Sequence, residues 1–143
     1  MRFVCDAVGG KAWFRIETEA EAARESELMD HAVEKHFRRA QEQASQTYRP
    51  APGPFVEQDI GREAHIRRTM PVFLTLRDGD GTPLATAMLP SQAAGRDGPA
   101  FCPMIVGPGN IDPYPEHWEA IRSLGRYFGL ALDPSRCYPY GRR

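Results

Sequence analysis

Cysteine is scarce in this chain, and what there is cannot staple it. Cys5, Cys102 and Cys137 are odd in number and widely separated, and no CxxC pair occurs. That argues against a disulfide framework or a zinc ribbon, and for a reduced cytoplasm as the protein's home. Lysine is equally rare. Lys11 and Lys35 are the only two, and arginine supplies the rest of the 18 basic residues, a codon bias that points to a GC-rich, bacterial genome. Long hydrophobic runs are missing too. Stretches such as Val72-Phe73-Leu74 fall far short of the roughly 20 residues a membrane-spanning helix needs. The opening "MRFVCDAVGG" has no apolar core of the kind a signal peptide carries. Neither a membrane nor a signal peptide is therefore expected.

No excess of one charge exists either. The formal net charge is −1, whereas a dedicated nucleic-acid binder usually carries a strong basic surplus. Nucleic acid is accordingly not the expected partner. GxxxxGK[ST] and GxGxxG are absent, which removes the ordinary nucleotide motifs. What remains is the composition of a folded domain: 41% apolar and 26% charged over 143 residues, enough for one hydrophobic core spanning 1–143.

The chain opens as a hairpin, with "RFVCDAV" and "AWFRIE" flanking "GGK", where Gly9-Gly10 supplies the positive φ of a tight turn. Thr18-x-x-Glu21 matches a capping box. From there the spacing predicts one helix over about 19–47, stopped by Pro50, Pro52 and Pro54. Such a helix would be roughly 43 Å long. The diameter expected of the whole domain is only about 37 Å, so it must bend, break or overhang, and an overhang would be a surface for self-association. A proline-rich connection at about 49–58 follows. Ile66, Met70, Val72, Leu74 and Leu76 then share one strand parity, Asp78-Gly79-Asp80-Gly81 reads as a turn, and "PLATAML" returns. "AFCPMIVG" reads as a further strand, and "LALD" as a short one. A C-terminal helix over about 115–128 is framed by Pro115 and by Gly129. An aromatic and arginine-rich tail occupies about 134–143. Hairpins in place of βαβ alternation give α+β: a mostly antiparallel sheet of about five strands, with one long N-terminal and one shorter C-terminal helix packed on one face.

Chemistry-bearing residues concentrate in "SELMDHAVEKHF", residues 26–37. At 100° per residue, the apolar stripe passes through Ala22, Met29, Val33 and Phe37. His31 then lies roughly 140° around from His36 on an unbroken helix, so the two imidazoles cannot share a metal. The spacing is neither HExxH nor HxxEH. Glu27, His31 and Glu34 do align, but Arg38 is placed to pair with Glu34. "DGDG" lacks the glutamate that a calcium loop has at its twelfth position, which here is Leu89. In "VGPGNIDPYP" three prolines delete the backbone donors a phosphate cradle needs. Cys5 and Cys102 fall in strand patterns and read as small buried hydrophobes. Cys137, beside Arg136, reads as the more exposed thiol.

Neither a metal nor a cofactor is expected. The binding residues singled out are His65, Arg67 and Arg68 in "HIRRT", read as a strand, and Arg136, Tyr138 and Tyr140 in the tail. Arginine with aromatics is the chemistry of protein interface hot spots and of single-strand binding. The sequence is thus read as a non-catalytic binding or regulatory module whose partner is protein, itself or another. Two alternatives stand beside it: a small hydrolase-like enzyme with a Cys/His or His/carboxylate site, and a nucleic-acid accessory protein.

Overall fold

The structure, a computed structural model, describes residues 1–50, 52–53, 55–91, 102–134 and 137. Five strands form one antiparallel sheet in chain order: β1 (Arg2–Ala7), β2 (Lys11–Arg15), β3 (Val72–Arg77), β4 (Pro83–Leu89) and β5 (Met104–Val106). Three helices lie between β2 and β3, namely α1 (Glu19–Met29), α2 (Val33–Gln46) and α3 (Phe55–Thr69), and α4 (Tyr114–Phe128) follows β5. The α+β architecture and the antiparallel sheet are those the sequence implies.

The two faces of the sheet bury different cores. Along β3, Val72, Leu74 and Leu76 join Trp13, Ile121 and Leu124 in a cluster under α4. Phe73, of opposite parity, joins Ile16, Ala22, Val33 and Phe37 under α1 and α2. Period-two alternation in a strand covered on both sides produces this division. The helices therefore occupy both faces, not one.

The single helix expected over 19–47 is two helices. The capping box at its start is present, with Thr18 accepting from the Glu21 N–H and Glu21 from the Thr18 N–H. The break comes at Asp30, which adopts a left-handed conformation at φ 52° and ψ 56°. Aspartate is one of the few side chains that visits this region at modest cost. Ser26 serves both ends of the break. Its carbonyl accepts from the N–H groups of Asp30 and His31, while its Oγ accepts from the Glu34 N–H at 2.8 Å, one of the orphan donors of α2. Breaking the helix fits it to the sheet and removes the overhang.

The proline-rich connection expected at 49–58 gives way to α3, whose C-terminal half carries His65, Arg67 and Arg68; "HIRRT" is thus helix, not strand. Beyond α4, Gly129 takes the left-handed cap position as expected, at φ 67°. Gly125 is needed for the reversal that follows, because a Cβ there would lie 2.8 Å from the Leu130 carbonyl oxygen. "LALD" forms no strand; Leu132 instead packs into the core under α4, where its carbonyl accepts from the Tyr114 hydroxyl at 2.8 Å.

Candidate functional site

Glu25 is a carboxylate on the apolar stripe of α1, at helical spacing between Ala22 and Met29, and all three are buried. A carboxylate in that position is tolerable only if both oxygens are satisfied. They are. Arg77 Nη2 donates to Oε1 at 2.7 Å, and Thr86 Oγ1 donates to Oε2 at 2.8 Å. Each of the three Arg77 nitrogens donates, since its Nε also bonds Thr75 Oγ1 and its Nη1 the Gly81 carbonyl. Thr75 and Thr86 are cross-strand partners on β3 and β4. The sheet thus presents a polar strip against α1 where the rest of this face is apolar.

The chain of bonds extends one step further. His31 Nε2 lies 2.8 Å from Thr86 Oγ1. The left-handed turn at Asp30 is what points this residue inward; on a continuous helix it would sit opposite the buried stripe. Beside His31 opens a pocket of about 480 Å³ between the α1–α2 junction and the β4–β5 end of the sheet. Val33, Phe73, Met88, Met104 and Val106 supply most of its wall, and His36 and Asn110 also line it. Its volume falls in the range of small-molecule sites, and an apolar wall with few polar groups is their usual character. Among the described residues, no lysine, arginine or carboxylate lines it.

Burial holds the His31 imidazole below the ordinary histidine range; His36 adds to this, while its own backbone carbonyl, Glu25 and Asp30 oppose it. His117, near the start of α4, is likewise depressed, by burial first and then by Lys11, with Glu116 opposing. Both Nδ1 atoms are buried with no hydrogen-bond partner among the described residues. These directions fix a pH dependence. In the unfolded chain both rings take up a proton near pH 6.5, whereas in the folded protein they do so only at lower pH. Stability is therefore full above about pH 6.5 and falls as pH drops through that value, until the folded rings protonate as well. Urea midpoints measured between pH 7.5 and pH 5 should decline. In a His31→Gln, His117→Gln double variant the decline should flatten; an unchanged slope would contradict the assignment.

The residues singled out from sequence are dispersed. Glu27 and Glu34 pair with Arg24 and Arg38, the latter as expected, and neither joins His31. His31 and His36 do line one pocket, because the angular separation presumed a helix that is broken. Among the described residues, no three His, Cys, Asp or Glu side chains are grouped to hold a metal ion. His65 Nε2 lies 2.7 Å from Thr47 Oγ1, with its ring 5.5 Å from that of Tyr48. The Arg67 carbonyl accepts from Arg15. The Arg67 side chain lies with Arg15 beside a second pocket of about 310 Å³, whose wall includes Phe37 and Met70. Arg68 is exposed and lines neither pocket. Arg136, Tyr138 and Tyr140 lie outside the described residues.

The thiols are placed otherwise than expected. Cys137 is fully buried, not exposed, and burial pushes its thiol up despite a hydrogen bond with Tyr114. Cys102 is exposed and precedes β5. Cys5 is half-buried, its thiol raised by burial and by Asp6. Neither Cys5 nor Cys137 has the lowered pKa of a nucleophilic cysteine.

Glu25, Arg77 and Thr86 escape a motif search because they stand 52 and 61 positions apart. The one local signal is a carboxylate at the stripe position between Ala22 and Met29. No family model matches this chain, and neither does any curated protein or solved structure.

Proposed function

We propose that this chain is a non-catalytic binding module of a bacterial cytosol, and that its site is the pocket beside His31. The observation that carries the proposal is the pairing of an apolar pocket with one histidine held from behind by a hydrogen-bonded Arg77–Glu25–Thr86 chain. A buried ion pair often adds no net stability over an apolar core, but it orients what it touches. Self-association through an overhanging helix loses its basis with the break at Asp30. The pocket therefore supports a small-molecule ligand better than a protein partner.

Chemical-shift mapping with small aromatic fragments tests this. Shifts should centre on the Met88 and Met104 methyls and on His31, and a pocket-filling Met104→Trp should abolish them in a folded protein. Shifts scattered over the surface, or none at all, would end the proposal.

A second reading, a His/carboxylate enzyme, draws on the same residues. His31 would be its base, backed by Glu25 through Thr86. Among the described residues the pocket wall holds no serine or cysteine nucleophile, which favours binding over covalent catalysis.

A further inference from the structure

Arg15, the last residue of β2, is a half-buried cation with no carboxylate bound to it among the described residues. Its guanidinium makes one hydrogen bond there, from Nη2 to the Arg67 carbonyl at 3.3 Å. That bond supplies a dipole and no counter-charge. Burial, then the charges of Arg67 and Arg2, hold the Arg15 guanidinium below its ordinary range, with Glu17 opposing. Glu17 itself pairs with Arg2, whose Nη2 lies 3.5 Å from it. Glu63 stands four residues before Arg67 on α3, the spacing of a helical ion pair. Among the described residues, however, no salt bridge joins it to either arginine. A desolvated cation flanked by like charges is unfavourable until an anion meets it.

The second pocket, of about 310 Å³, is where such an anion would sit. Arg15 and Arg67 reach its wall from β2 and α3, and Phe37, Ile66 and Met70 give it an apolar part. Its volume lies at the small end of the range for ligand sites. Glu17 and Glu63 also line it. Set against these two carboxylates, Arg15, Arg67 and the Arg2 that pairs with Glu17 leave one positive charge over among the described residues. A monoanion balances that charge, whereas a dianion exceeds it. A guanidinium fork matches the two oxygens of a carboxylate, and the apolar part of the wall favours a hydrocarbon body attached to it. We propose that this pocket, distinct from the one beside His31, binds an organic monocarboxylate. Its carboxylate meets Arg15 and Arg67, and its apolar body lies against Phe37, Ile66 and Met70.

Titration of the full chain with hexanoate, hexanamide, acetate and inorganic phosphate tests this, read at the Nε–H signals of Arg15 and Arg67 and at the Met70 methyl. Hexanoate should bind at least about tenfold tighter than hexanamide, the size of one charge-assisted hydrogen bond. Acetate, which lacks the apolar body, and phosphate, which has none and carries more charge, should both bind more weakly than hexanoate. Arg67 is exposed, and Arg67→Gln keeps the backbone carbonyl that Arg15 uses, so the fold should survive the change. That variant should weaken hexanoate about tenfold and leave hexanamide unchanged. Glu63→Gln removes a competing carboxylate and should tighten hexanoate. Equal binding of hexanoate and hexanamide, or phosphate binding as tightly as hexanoate, would overturn the proposal. So would an Arg67→Gln variant that binds hexanoate like the parent, or a Glu63→Gln variant that binds it no tighter. Shifts confined to the Met88 and Met104 methyls would place the carboxylate beside His31 and overturn this site while leaving that one standing. No binding at all overturns it outright.

Discussion

Replacing Arg77 with methionine should destabilise the protein by about 3–5 kcal/mol, the cost of leaving one member of a buried ion pair without its partner. The size follows from the surroundings of Glu25. Its side chain is fully buried and that of Arg77 is only 12% exposed, so little solvent reaches either to compensate. Methionine restores much of the arginine's apolar stem, which confines the loss to the charge and its three hydrogen bonds. Replacing both partners, as Glu25→Met with Arg77→Met, should recover most of the loss, since an apolar pair removes the stranded charge. Urea denaturation of the single and double variants measures this. A single-variant loss under about 1 kcal/mol would mean that the pair behaves as a surface salt bridge.

How much of this was legible in the sequence depends on how local the cause was. The capping box at Thr18–Glu21, the Gly9-Gly10 hairpin and the Gly129 cap are written within a few residues, and all are present. So is the turn at Asp78, whose Oδ1 accepts from the N–H groups of Asp80 and Thr82. The break at Asp30 has no glycine or proline to announce it. It depends on Ser26 reaching eight residues ahead to cap α2, and only the excess of helix length over domain width hinted at it. The prolines before Phe55 were legible as a stop but not as the approach to another helix, because α3 has no marked apolar stripe and carries Gly61 at its centre. Thr75, Arg77 and Thr86 read as ordinary strand residues. They gain meaning only when the sheet pairs β3 with β4 and α1 lays Glu25 across them. Histidines drew the eye in residues 26–37, yet the buried carboxylate just before them organises the site.

Trp13→Ala should cost a further 3–5 kcal/mol, roughly the loss for removing a fully buried aromatic side chain, and it should do so on the opposite face. Trp13 is wholly buried in the core under α4, and its indole Nε1 donates to the Ala120 carbonyl at 2.9 Å. Alanine removes the ring that fills the space between β2 and α4 and deletes that tie. Phenylalanine keeps most of the volume without the donor, so Trp13→Phe should lose markedly less. The comparison separates packing from hydrogen bonding, and the site supplies a second readout. Because β3 turns Leu74 and Leu76 toward α4 but Phe73 and Thr75 toward α1 and α2, the two cores meet only through the sheet. Trp13 and Arg77 stand one register position apart on paired strands, Trp13 opposite Leu76 and Arg77 opposite Ala12, but their side chains leave opposite faces of the sheet and share no hydrogen-bond partner, and it is shared partners that make substitutions couple. Trp13→Phe combined with Arg77→Met should therefore lose the sum of the single losses to within about 0.5 kcal/mol, and Trp13→Phe alone should leave the His31 ring signals unchanged. A coupling energy beyond that, or a changed His31 signal, would show that the polar strip is held in place by both helical layers and not by α1 and the sheet alone.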